Sequence, residues 1–143
     1  AQEEIVTLYL RNTAYVNNWD LVDSSADKIL GAYLMNKEKD TLYMLARSDN
    51  LWEQRIAIIA TFHFIKNGFF SDTLKLAEIL MTHPHDLIHK AVGWMLREVG
   101  KRDFQLEYDF LLEYYQRMPR TMLRYAIEKF PPELRQQFLK GML

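Results

Sequence analysis

"RIAIIATFHFIKNG" (residues 55–68) and "KAVGWMLREVGK" (residues 90–101) share one rhythm: a cation, a long apolar stretch, then a polar or glycine-containing end. Neither alternates as a strand does, and the apolar residues of both recur at helical spacing. Arg55 and Lys90 are 35 positions apart, close to one helical hairpin. The spacing predicts a stack of antiparallel helix pairs, with a compact irregular bundle as the alternative.

Outward from these two stretches the same periodicity continues. Only five Gly and four Pro interrupt the chain. Helices are expected near 2–16, 19–34, 37–47, 51–66, 71–82, 86–100, 103–117, 120–129 and 132–140. Start signals are Asn18 before Trp19, Asn50 before Leu51, Ser71, and Asp86 just after Pro84. Gly68 and Gly100 are expected stops, and Pro131 and Pro132 end one helix and open another. The fold class is all-α, a single repeat domain over residues 1–143 with no linker or low-complexity tract.

At 143 residues, 49% hydrophobic and 26% charged, the chain has the size and composition of one globular domain. It has no cysteine, which excludes disulfides and thiolate metal sites and fits a reducing, cytoplasmic setting. No apolar run reaches the roughly 18 residues of a membrane span, and the acidic, amphipathic start is not a secretory signal. The net charge of −1 conceals a gradient. Residues 1–50 carry five Lys/Arg and eight Asp/Glu; residues 101–143 carry eight and six. A nucleic-acid partner would therefore meet a small basic patch at most.

Chemistry concentrates in a few places. In "NNWDLVDSSADKIL" (17–30), Asp23 follows Trp19 by four residues, so indole and carboxylate share a helix face. Asp20 and Asp27 suit a first turn through the helix dipole. Arg55 shares a face with Ile58, Ile59 and Phe62, and a guanidinium on an apolar stripe must find a partner. Two readings are open: an ion pair, with Asp23 or Glu98, or a phosphate clamp. Trp94 lies between Lys90 and Arg97, with Gly93 admitting a close neighbour. That mixture serves nucleic-acid surfaces, and it also serves cation–π packing. "HPHDLIH" (83–89) carries His83, His85 and His89 but lacks the ligand set of a zinc site. The aromatic tail "FQLEYDFLLEYYQRM" (104–118) reads as core. No phosphate loop, nucleophile elbow or dinucleotide fingerprint is present, so neither cofactor nor metal is expected.

Taken together, "NNWDLVD" (17–23), "SDNLWEQRIAII" (48–59) and "HKAVGWMLREVGK" (89–101) resemble the DNA alkylation repair glycosylases built from HEAT-like repeats, in order and spacing across most of the chain. The resemblance implies an α-α superhelix whose concave face cradles duplex DNA and whose activity releases N3- and N7-alkylated purines. It places the catalytic carboxylate on Asp23, indole walls on Trp19 and Trp94, the motif arginine on Arg55 and a further DNA contact on Arg97. Lys90 belongs to the same expected DNA-binding set. Family chains carry more helices ahead of the Trp–Asp motif. The chain is thus expected to correspond to their C-terminal portion, whose exposed N-terminal edge would permit self-association. A non-catalytic HEAT-like module that binds DNA or protein is the alternative.

Overall fold

The computed structural model describes residues 25–35 and 37–143 together with Glu3 and Ile5. Trp19, Asp20, Asp23, the cap expected at Asn18 and most of the helix expected at 2–16 lie outside the described residues, as does the side chain of Asp27. A π-helical segment, Ala26–Gly31, runs straight into α1, Ala32–Leu34. It is followed by α2 (Asp40–Ala46), α3 (Leu51–Lys66), α4 (Ser71–Leu80), α5 (Asp86–Arg102), α6 (Phe104–Tyr114), α7 (Arg120–Ala126) and α8 (Pro132–Leu139). The described residues contain no strand, which agrees with the all-α reading. Among them, no helix is long and apolar enough to cross a membrane.

The helices form two rows. The π segment, α3, α5 and α7 are successive neighbours in one row; α2, α4, α6 and α8 pack along its other side. Four contacts give the register of the first row. Gly31 meets His63, Arg55 meets Leu87, Phe62 meets Trp94, and Gly93 meets Tyr125. Each pair is separated by 32 residues, as the Arg55–Leu87 bond is. A constant offset along two helices means that they run parallel. The repeat is therefore 32 residues in register, and Arg55 aligns with Leu87 rather than with Lys90, 35 positions on.

Sequence explains most of the local structure. Every residue of α3 from Gln54 to Thr61 is buried, as expected for a helix apolar on all sides. Helix α5 is amphipathic and buries Ile88, Val92, Met95, Leu96 and Val99. Asn50 caps α3: its Oδ1 accepts from Trp52 N at 2.9 Å and Glu53 N at 3.0 Å. Gly68, at φ 84°, ends α3 with Phe69 N donating to Phe64 O at 2.9 Å, the bond that closes a left-handed helix end. The second row is tied by Tyr43 Oη, which donates to Asp72 Oδ1 at 2.7 Å between α2 and α4. The aromatic tail is core in part: Phe110 and Tyr115 are buried, Tyr108 and Tyr114 half-buried, and Phe104 exposed. Tyr108 and Tyr115 on and just after α6 pack on Phe138 of α8, with ring centroids 5.9 and 5.2 Å apart.

Four expected features differ. Gly100 does not stop α5, which continues to Arg102. Its missing side chain instead makes room for Glu107, because a Cβ there would fall 1.9 Å from Glu107 Oε1. Ser71 is the first residue of α4 and not a side-chain cap. Helix α5 is capped by His85, whose Nδ1 accepts from Leu87 N at 3.1 Å. Helix α7 ends at Ala126, three residues before 129, where Phe130 N turns back to Ile127 O at 2.9 Å.

Gly93 sets the distance between α5 and α7. A Cβ there would lie 2.4 Å from Tyr125 Cβ and 2.6 Å from Met122 O, so the backbones would have to part. An alanine gains roughly 1 kcal/mol of helix propensity and loses more to overpacking. Gly93→Ala is expected to destabilise the protein by a net ~1–2 kcal/mol in urea unfolding. An unchanged or raised midpoint would contradict the close approach.

Candidate nucleic-acid interface

One side of the first row carries two matching stripes. On α3, Arg55, Phe62 and Lys66 fall at i, i+7 and i+11; on α5, Lys90, Arg97 and Lys101 do the same, with Trp94 among them. The 32-residue register sets Arg55, Phe62 and Lys66 level with Leu87, Trp94 and Glu98, and Lys90, Arg97 and Lys101 stand three residues further along α5. The result is a band across two parallel helices in which cations flank the Phe62–Trp94 ring pair.

Arg55 is only 6% exposed. Its Nη1 donates to Leu87 O at 2.6 Å, a backbone carbonyl in the first turn of α5. The sequence points to a carboxylate or a phosphate for this guanidinium; of the carboxylates, Asp23 lies outside the described residues, and the backbone anchor is an addition to that expectation. Nothing local in the sequence identifies it, because the partner comes from the next repeat. Glu98, one of the carboxylates considered for Arg55, binds Lys101 Nζ at 2.9 Å and Arg102 Nη1 at 3.0 Å. Burial pushes the Glu98 carboxyl up, but these two cations more than offset that and hold it below the ordinary range.

Trp94 is half-buried and meets Phe62 edge to face, with ring centroids 5.7 Å apart and planes at 63°. Gly93 beside it admits α7, which accounts for the close approach expected there. The cations on this face gather at Phe62: Lys66 Nζ lies 4.6 Å and Arg102 Cζ 6.0 Å from its centroid. Phe62, Lys66 and Arg102 were not singled out as site residues from sequence. For Phe62 and Lys66 the signal is the i, i+7, i+11 pattern, whose meaning is legible only once the register of the two helices is known; Arg102 lies outside that pattern. Lys90 pairs with Asp86 at 3.3 Å, and Arg97 pairs with Glu128 just beyond α7. The Lys90–Asp86 pair is solvent-facing, so it holds the lysine weakly and can yield it to a phosphate, whereas the Arg97 side chain is mostly buried.

The histidines form a local network at the start of α5. His83 Nδ1 accepts from His85 N at 3.0 Å, and the His89 ring bonds to His83 O. Burial, then the neighbouring His85 and His89, pull His83 below its ordinary value, so it sits neutral as an acceptor must.

Behind the band lies Glu107, 1% exposed. Its Oε2 and the buried Nε of Arg97 have no hydrogen-bond partner among the described residues. Burial pushes the Glu107 carboxyl up to about 9, with Arg97 opposing.

The chain matches the family described as DNA alkylation repair enzyme over residues 1–130. No curated protein matches it.

Glu107 generates a pH prediction. Its value in the fold lies above that of an unfolded glutamate, so its contribution is complete below about pH 4.5 and is lost as pH rises toward 9. Glu107→Gln removes that titration. The difference in unfolding free energy between variant and wild type is expected to grow with pH between 5 and 9, by at most ~1.4 kcal/mol per unit. A difference that stays constant over that range would show Glu107 ionised in the fold.

Proposed function

The chain belongs to the DNA alkylation repair enzyme family, and we propose that within DNA alkylation repair it acts as an N-glycosylase on N3- and N7-alkylated purines in duplex DNA. The observation that carries this reading is the family match over 1–130 together with the band of Arg55, Phe62, Lys90, Trp94 and Arg97 along α3 and α5.

Alkylation at N3 or N7 makes the purine a cation and a good leaving group. The glycosidic bond breaks, its electron pair neutralises the departing base, and positive charge remains on the deoxyribose. The Asp23 carboxylate stabilises that charge and orients the water that attacks the sugar. Asp23 stands two residues before Ser25 in the chain. The segment that follows, Ala26–Gly31, packs against α3, the helix that carries Arg55. A guanidinium held in place by Leu87 O is a fixed positive charge, suited to keeping a carboxylate ionised and to drawing in the flanking phosphate. Trp19 and Trp94 serve as walls for the sugar–phosphate, and Lys90 and Arg97 as phosphate contacts that fix the protein on the duplex.

A second reading has its own support. Lys90 and Arg97 are paired inside the chain, and the net charge is −1, which suits a non-catalytic helical module binding DNA or protein. Such a module would bind alkylated and plain duplex equally. Fluorescence titration of the three Trp residues with both duplexes separates the readings.

Asp23→Asn is expected to lower release of 7-methylguanine from methylated DNA by about a hundredfold or more while leaving duplex affinity within a few-fold. Equal release by both forms would remove Asp23 from the mechanism. No release by the wild-type protein would sink the enzyme reading.

A further inference from the structure

Phe62 is a large apolar ring at the edge of the core. It lies half-buried on α3, beside fully buried Ile58, Ile59 and Ile65, on the same stripe as Arg55. Its edge-to-face partner is Trp94, also half-buried, across the seam between α3 and α5. This contact repeats the 32-residue register of Arg55 and Leu87, two turns further along, or roughly 10 Å. The two cations on Phe62, Lys66 and Arg102, come from the C-terminal ends of the same two helices. Among the described residues, Phe62 is the ring partner of Trp94, and no cation stands over the indole.

We infer that Phe62 is a positioning residue: across the α3–α5 seam it sets the plane of the Trp94 indole that meets the DNA backbone. The inference rests on reading Trp94 as a wall of the site. An indole half in solvent has several rotamers open to it, and a wall that must present one face to a sugar needs one of them selected. An edge-to-face contact selects by angle, which simple apolar filling does not. The cations over Phe62 hold that ring in turn, and their attraction to its face draws on its quadrupole. Lys66, Arg102 and Phe62 thus act through Trp94 and need not touch the ligand.

The test uses the full chain with 5-fluorotryptophan in place of its three Trp residues, the Trp94 resonance being assigned with Trp94→Phe. The probe is a short duplex carrying a tetrahydrofuran abasic-site analogue. In the wild type the Trp94 resonance is expected to move on adding duplex. In Phe62→Leu that resonance is expected to be displaced before duplex is added and to respond less. Affinity is expected to fall about fivefold, the scale of one aromatic pair. Phe62→Tyr, which keeps the ring, is expected to restore both. If Phe62→Leu does not fold, Phe62→Met takes its place, and a nuclear Overhauser contact between Phe62 and Trp94 that survives duplex binding in the wild type reads the same point. A lowered melting temperature with an unchanged Trp94 resonance and duplex response would overturn the inference, making Phe62 packing alone. So would a wild-type Trp94 resonance that duplex does not move. Release of methylated base is measured in parallel. Its absence, with the expected resonance changes present, would refute the glycosylase chemistry and leave the positioning role supported.

Discussion

The close parallel approach of α3, α5 and α7 is the constraint on which the rest depends. Gly93 permits it between α5 and α7, and Gly31 permits the same approach of the π segment to α3; at each a Cβ would collide with the backbone of the next helix. Because the offset is fixed at 32 residues, what one helix carries at a given height meets its counterpart on the next. Arg55 reaches Leu87 O, and two turns on Phe62 reaches Trp94. The cationic and aromatic band is therefore a consequence of helix spacing, and a wider spacing would separate its two stripes.

Burial and charge are divided between the two sides of this row. The side toward α2, α4 and α6 is apolar and closed, and it includes Ile56, Ile88, Leu96 and Val99. The other side carries cations held by partial neutralisation: Glu98 takes Lys101 and Arg102, Glu128 takes Arg97, and Asp86 takes Lys90. Such a surface is poised for a polyanion without carrying a large net charge, which reconciles a value of −1 with a DNA partner. Exchange of a surface carboxylate for a phosphate costs little where the original pair is weak.

Much of this was legible in the sequence. The all-α class, the α3 start at Asn50 and its end at Gly68 follow from periodicity and local capping, which are short-range effects. Arg55, Lys90, Trp94 and Arg97 stood out because a cation or a Trp on a helix face demands a partner. What the sequence left hidden is long-range. Gly100 looks like a stop, yet its purpose is to admit a glutamate from the next helix. One anchor of Arg55 is a backbone carbonyl 32 residues away, which no side-chain pattern reports. Phe62 reads as one more core aromatic until the register places it against Trp94. The spacing of 35 between two cations approximated the repeat but missed the register by three residues, almost a full turn.

We propose that the Asp23 carboxylate meets a sugar bearing positive charge. This is tested most directly by comparing affinity for two duplexes that differ in one ring: a cationic pyrrolidine abasic analogue and its neutral tetrahydrofuran counterpart. The account predicts that the wild-type chain prefers the cationic duplex by about tenfold or more, and that the preference disappears when Asp23 is replaced by Asn. Equal affinity for the two duplexes, or a preference that survives the loss of the carboxylate, would contradict it.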